Sequence, residues 1–199
     1  MKIILASKSP RRRELFGKLA SEAGFEFEII TRETDENLYG EHPKTGVATL
    51  AERKGAAVAA DYPAALVVSS DTLVELGGIP LGKPVDESDA KEMLRALSGK
   101  AHNVHTGIAI HYGGAVYSGV ATTQVVFREL SDAEIDTYIA TGEPMDKAGA
   151  YGIQGVGGRL VAGYNGEFDT VVGFNITLLK SLIEQAVGSV SALRGNDDD

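Results

Sequence analysis

Ile3-Ile4-Leu5-Ala6-Ser7-Lys8-Ser9-Pro10-Arg11-Arg12-Arg13 begins with an apolar run and turns abruptly polar. Ile3, Ile4, Leu5 and Ala6 read as a short buried strand. Ser9 stands where a helix N-cap is expected, with Pro10 at the first helical position, where its missing N–H costs nothing. Arg11, Arg12 and Arg13 then place cations on the positive end of a helix dipole, which favours Asp or Glu. An anion held between those side chains and the free backbone N–H groups would reverse the sign of the interaction. Three solvated arginines on a surface helix are the plainer alternative. A local rule broken at one spot is a common mark of a functional site.

Working outward, strand-like and helix-like segments alternate, which is the pattern of an α/β protein. A helix is expected over residues 10–21 with Leu15, Phe16 and Leu19 on one face, then a strand over 25–30. The polar loop 31–45 carries Glu33, Asp35 and Glu36. From about residue 46, Val47, Leu50, Ala51, Lys54 and Val58 share a helical stripe, so Lys54 points along the apolar face. It either snorkels to the edge or reaches into a cleft that the stripe borders. Residues 66–68 read as a buried strand ending at Ser69-Ser70-Asp71, continued over 73–76 and returning over 79–81. Ser88 or Asp89 is expected to cap a helix burying Ala90, Met93, Leu94 and Leu97. Strands follow over 104–110 and 116–127. Ser131-Asp132-Ala133-Glu134 is a capping box. A glycine-rich loop over 149–158 precedes a strand at 160–161, and a last helix covers about 175–187. No linker divides the chain, so residues 1–190 are expected to form one domain of two lobes sharing a sheet. Residues 191–199 are expected to be a polar, frayed tail.

The 199 residues are enough for a full core, and the net charge is −9. That charge argues against nonspecific nucleic-acid binding but leaves room for a small anion held by a few focused cations. The chain has no cysteine, hence no disulfide or thiolate chemistry. It shows neither a signal-peptide pattern nor an apolar stretch of roughly 18–20 residues, so no membrane association is expected and the cytoplasm is the expected location.

Several residues could carry chemistry. Asp71, at the expected end of a strand, could be a general base, a metal ligand or a turn residue bonding its own backbone. Lys83 follows a strand inside the stiff turn Gly82-Lys83-Pro84. Arg11, Arg12, Lys54 and Lys83 come from separate segments, and with Glu36 and Asp71 they are the kit for a polyphosphate and a divalent metal. Gln154 lies in Tyr151-Gly152-Ile153-Gln154-Gly155, where glycines allow close approach and an amide could read a nucleobase edge. A loop glutamine in water is the alternative. His42, His102, His105 and His111 lack metal-ligand spacing and are expected to be structural or surface residues. No nucleophile elbow and no P-loop occur.

Taken together, Leu5-Ala6-Ser7-Lys8-Ser9-Pro10-Arg11-Arg12, Asp35-Glu36, Leu50-Ala51-Glu52-Arg53-Lys54, Ser70-Asp71-Thr72-Leu73-Val74, Gly82-Lys83-Pro84, Val104-His105-Thr106-Gly107, the run from Gly142 to Gly155 and Val171-Val172-Gly173 resemble the Maf-type nucleoside triphosphate pyrophosphatases. The resemblance covers nearly the whole chain. It implies a long mixed twisted sheet with helices around it, two lobes flanking a deep cleft, and often a homodimer. It implies cleavage between the α- and β-phosphates, with a divalent metal (Mg²⁺ or Mn²⁺). It implies Asp71 as proton acceptor, Ser7, Arg11, Arg12, Lys54 and Lys83 in the phosphate pocket, Glu36 and Asp71 at the metal, and Arg11, Thr72 and Gln154 at positions tied to base choice. The Tyr-Gly-Ile-Gln-Gly form resembles the subgroup acting on dTTP and UTP. The chain departs from the usual pattern at Gly55, Ser70 and Phe174-Asn175. Rival readings are a pyrophosphatase for 7-methyl-GTP or another modified purine nucleotide, and a nucleotide-binding regulator of cell division with little catalysis.

Overall fold

In the computed structural model, which describes residues 1–38 and 40–194, the Ile3–Leu5 strand (β1) lies between Glu28–Ile29 (β2) and Leu66–Leu76 (β3) and runs parallel to both. β3 and the next two long strands, Ala101–Tyr112 (β5) and Ala115–Phe127 (β6), are antiparallel neighbours, and Val161–Asn165 (β7) pairs with the far side of β6. The short Ile79–Leu81 strand (β4) folds back on the end of β3. The result is a seven-stranded mixed sheet in the order β2-β1-β3-β5-β6-β7, with β4 beside β3.

Six α-helices surround it among the described residues: α1 (Pro10–Ala23), α2 (Pro43–Ala59), α3 (Glu87–Leu97), α4 (Asp132–Ile139), α5 (Phe168–Val172) and α6 (Ile176–Val187). One buried cluster joins Leu5, Phe16, Leu66, Val68, Ile108, Phe174, Leu179 and Ile183. A second joins Val74, Leu94, Leu97, Val104, Val125, Phe127, Ile135 and Tyr138. β3 and β5 feed both clusters from opposite halves of their length, so the long strands tie the two cores together.

The sequence signals placed most elements to within a few residues. Ser9 is the N-cap of α1, but its side chain makes no capping bond; its own N–H bonds Ser7 Oγ at 3.2 Å. The α3 cap is Asp86, whose carboxylate accepts from the Asp89 N–H, not Ser88 or Asp89. The capping box of α4 is present as read. The strand expected over 25–30 shortens to Glu28–Ile29, and α5 was not anticipated. Residues Val190–Leu193 form a 3₁₀ turn with Leu193 buried, so the apolar packing extends past residue 191; residues 195–199 of the expected tail lie outside the described residues.

Candidate active site

β3 is the axis of the site. Asp71 was expected at a strand end, but it sits in mid-strand, paired with Gly107 of β5. The alternation Ser69-Ser70-Asp71-Thr72 looks polar in sequence, yet the backbone ladder to β5 runs through it unbroken. What ends there is the pairing on the other edge. β1 stops opposite Val68, and β4 pairs only from Val74 onward, where its last residue Leu81 lies opposite. Between them β3 shows its open edge to a cleft of about 870 Å³, within the usual range for small-ligand sites.

Ser7, Arg11, Arg12, Glu36, Lys54, Asp71, Thr72, Lys83 and Gln154 all line this one cleft. They come from the β1–α1 connection, the first turn of α1, the loop before α2, α2 itself, β3, the turn after β4 and the glycine-rich loop.

Lys54 reaches its place because α2 lies unusually close to β5. A Cβ on Gly107 would come within 2.5 Å of the Val47 carbonyl oxygen. From there Lys54 Nζ donates to Asp71 Oδ1 at 2.6 Å and to Glu36 Oε1 at 2.8 Å. Both carboxylates are thus gathered around a single ammonium. The bond from Lys54 holds the Glu36 carboxyl below its ordinary range against the opposing effect of burial.

Arg12 is used differently. Its Nε donates to the Gly173 carbonyl at 2.8 Å, Nη1 to the Ser70 carbonyl at 2.8 Å and Nη2 to Thr72 Oγ1 at 3.0 Å. The Ser70 carbonyl lies on the open edge of β3, so the guanidinium takes the place of the missing strand partner. Burial draws the Arg12 guanidinium down from its usual value, with Asp71 opposing. Thr72 Oγ1 also bonds Thr106 Oγ1 at 3.0 Å, and Thr106 Oγ1 donates to the Thr170 carbonyl at 2.7 Å. Successive strand residues face opposite sides. Asp71 therefore shares a side with α2 and Lys54, and Thr72 with α1 and Arg12.

Sequence reasoning assigned no role to Glu143, Asp146 and Lys147, which also line the cleft. Glu143 Oε2 accepts the Val156 N–H at 2.9 Å, and Oε1 accepts the Gly157 N–H at 3.1 Å and the Tyr138 hydroxyl at 2.9 Å. A Cβ on Gly155 would lie 2.4 Å from that carboxylate. The loop bearing Gln154 is therefore wrapped on Glu143. Partial burial would raise the Asp146 carboxyl, but Lys147 and Arg11 outweigh it and hold it low. The available signal was the charge density of Glu143-Pro144-Met145-Asp146-Lys147 directly before a glycine-rich loop.

The histidines are structural. His42 Nδ1 accepts the Lys44 N–H at the start of α2. His105 Nε2 bonds Glu75 Oε2 at 2.7 Å, His102 Nε2 bonds the Tyr151 hydroxyl at 2.8 Å, and His111 Nε2 bonds the Glu52 carbonyl at 3.0 Å.

A divalent cation can be tested against this donor set. Two carboxylate oxygens lie within 2.8 Å of the same Nζ, so Asp71 and Glu36 both turn an oxygen toward one point of the cleft. No group of three or more His, Cys, Asp or Glu side chains forms a metal cage among the described residues. That set suits Mg²⁺ or Mn²⁺, which take one or two carboxylates and complete their shell with water and substrate phosphates.

The family model described as Maf-like protein matches residues 2–186. The chain belongs to the Maf-like family. It is 45% identical to the dTTP/UTP pyrophosphatase of Anaeromyxobacter dehalogenans strain 2CP-C over 93% of this chain and 94% of that one. It is 42% identical to the dTTP/UTP pyrophosphatase of Deinococcus radiodurans, covering 93% of each chain. It is 44% identical to that of Thermococcus onnurineus strain NA1 over 94% of this chain and 98% of that one. A solved nucleoside-triphosphatase / dITP/XTP pyrophosphatase from Mycobacterium abscessus aligns with a TM-score of 0.44 at 12% identity, over 64% of this chain and 74% of that one.

The departures of this Maf-like chain from the usual pattern have structural partners. Ser70 Oγ donates to the Gly173 carbonyl at 3.0 Å. Gly55 makes room for the His111 ring, which a Cβ would meet at 2.5 Å. Asn175 caps α6, accepting the Leu178 N–H at 2.7 Å, and its amide donates to Glu167 and Thr170.

Proposed function

We propose that this Maf-like chain hydrolyses dTTP and UTP to the monophosphate and pyrophosphate. The observation that carries the reading is the pairing of Asp71 and Glu36 on the Lys54 ammonium inside a cleft also lined by Arg11, Arg12, Lys83 and Ser7. The names of the relatives support the same activity.

In this reading Lys54, Lys83, Arg11 and the Ser7 hydroxyl bind the triphosphate. Arg12 keeps two of its five N–H groups for phosphate, since the chain takes the other three. Its main work is to hold the open edge of β3 beside Asp71. Asp71 orients a water on the α-phosphorus and takes its proton as the new P–O bond forms. The bond from the α-phosphorus to the bridging oxygen breaks, and pyrophosphate leaves with that oxygen and its electron pair. A divalent metal held by Glu36 and Asp71 would supply charge neutralisation to the phosphates. Gln154 and Arg11 read the base, and Thr72 contributes by fixing Arg12. No helix among the described residues is long and apolar enough to cross a membrane, and a cytoplasmic location is part of the same proposal, supported by its nucleotide substrates.

The test is pyrophosphate release from a panel of normal and modified triphosphates, with and without Mg²⁺ or Mn²⁺. UTP and dTTP should lead the panel. Preference for 7-methyl-GTP, or tight UTP binding with no pyrophosphate, would overturn the assignment.

A further inference from the structure

Asp146 stands between two cations in the wall of the cleft that also carries Gln154. Lys147 Nζ donates to Asp146 Oδ1 at 2.6 Å, and Arg11 Nη1 lies 4.0 Å from Asp146 Oδ2. The Lys147 ammonium is held a second time by the Glu143 carbonyl at 2.7 Å. Its methylene stem packs on Gly152, where a Cβ would approach Lys147 Cε to 2.7 Å. Lys147 is only 14% exposed, whereas Asp146 is 69% exposed. A separation of 4.0 Å is too long for a hydrogen bond, so Arg11 leaves a lone pair of Asp146 Oδ2 open to a ligand. Arg11 and Lys147 keep spare N–H groups on either side of it.

The wall therefore presents donor, acceptor, donor. The complementary edge reads acceptor, donor, acceptor. Uracil and thymine carry that edge as O4, N3–H and O2. Cytosine carries a donor at N4 and an acceptor at N3, so two of its three positions are reversed. Its N3 lone pair would face the carboxylate, and an acceptor set against an acceptor is left unpaired at high cost. We propose that Asp146 is a specificity-determining residue whose carboxylate accepts the N3–H of uracil or thymine between Arg11 and Lys147. This rests on the pyrophosphatase reading and adds to it the group that turns cytosine away.

The experiment compares kcat/KM for UTP, CTP and 3-methyluridine triphosphate, in which a methyl replaces the N3 hydrogen. Wild type, Asp146→Ala and Asp146→Asn are assayed, with melting temperatures measured alongside. Wild type should favour UTP over both analogues by on the order of 100-fold. Asp146→Ala should cut the UTP:CTP ratio by about 10- to 100-fold, the scale of one charged hydrogen bond. Asp146→Asn should move it further toward CTP, because an amide can donate to cytosine N3. An unchanged ratio in both variants, or an equal fall for every nucleotide, overturns the role of Asp146 while leaving the pyrophosphatase reading intact. Absence of pyrophosphate release by wild type overturns that reading and the inference with it.

Discussion

Lys54 Nζ lies 2.6 Å from Asp71 Oδ1, joining a helix to the middle of the central strand inside the cleft. The same ammonium holds Glu36 at 2.8 Å. A lysine here occupies the oxygens that a divalent ion would want, so the ion and the ammonium compete for them. Binding of metal and triphosphate would release Lys54 from the carboxylates to the phosphates.

Lys54→Gln should accordingly tighten Mn²⁺ binding in the absence of nucleotide by roughly tenfold or more, since a nearby positive charge is removed. Asp71→Asn should weaken it. Titration followed by electron paramagnetic resonance reads both. An unchanged Mn²⁺ affinity in Lys54→Gln would show that the metal does not use this carboxylate pair. In turnover, Asp71→Asn should lose about 10²–10⁴-fold in kcat, the usual scale for a general base.

Arg12 bridges three chain segments, donating to Gly173, Ser70 and Thr72. A lysine keeps the charge but cannot reach carbonyls set at the angles of a planar fork. Arg12→Lys should destabilise the fold by about 1.5–3 kcal/mol, the scale of lost charged hydrogen bonds. Urea unfolding measures it. A variant as stable as wild type would mean that phosphate binding, not bracing of the β3 edge, is the main task of Arg12.

Gly55 faces His111 Cδ2 and Ser69 Oγ, which a Cβ would meet at 2.5 and 2.6 Å. Ser69 Oγ is itself fixed by the Ala51 carbonyl at 2.7 Å, so it cannot yield cheaply. Gly55→Ala should cost about 1–3 kcal/mol by overpacking. Removing the ring as well, in Gly55→Ala/His111→Ala, should return part of the loss. A double-mutant cycle on unfolding free energies gives the coupling, and additive costs would refute the contact.

Burial holds His102 down to about 4. The unfolded chain takes up that proton near pH 6.5. Stability from this group is therefore complete above about pH 6.5, falls as the pH drops toward 4 and levels off below. The total is of order 3 kcal/mol. Denaturation at pH 7 and pH 5 should show the loss, and His102→Gln should flatten it. Glu36 and Glu143 have depressed carboxyls, by the Lys54 bond in the first and by backbone N–H bonds outweighing desolvation in the second. They add a further loss at lower pH, below about 4.3, where the unfolded carboxylates protonate.

The placement of strands and helices was legible wherever apolar spacing was regular, as in α2 and α6. The stripe that put Lys54 in line with Val47, Leu50, Ala51 and Val58 left it between the edge and a cleft, and the contact with Asp71 puts its ammonium in the cleft. Asp71 was misplaced because a polar run inside a strand carries no period that separates it from a turn. Its neighbours on β5 satisfy the backbone, and that information lies far along the chain. Glu143 went unassigned for a similar reason. A glutamate after a turn gives no sign that Val156 and Gly157 will donate to it.

Local sequence by itself determined most of the elements, the capping box at Ser131 and the shortlist of charged residues, because these depend on neighbours a few positions apart. Only the tertiary structure decided that β1 pairs with β3 no further than Val68 and β4 only from Val74 onward, leaving one stretch of β3 unpaired. That open edge is where Arg12, Lys54 and Glu36 converge. Bringing them there requires contacts between residues far apart in the chain, whose geometry is fixed by packing rather than by any local pattern.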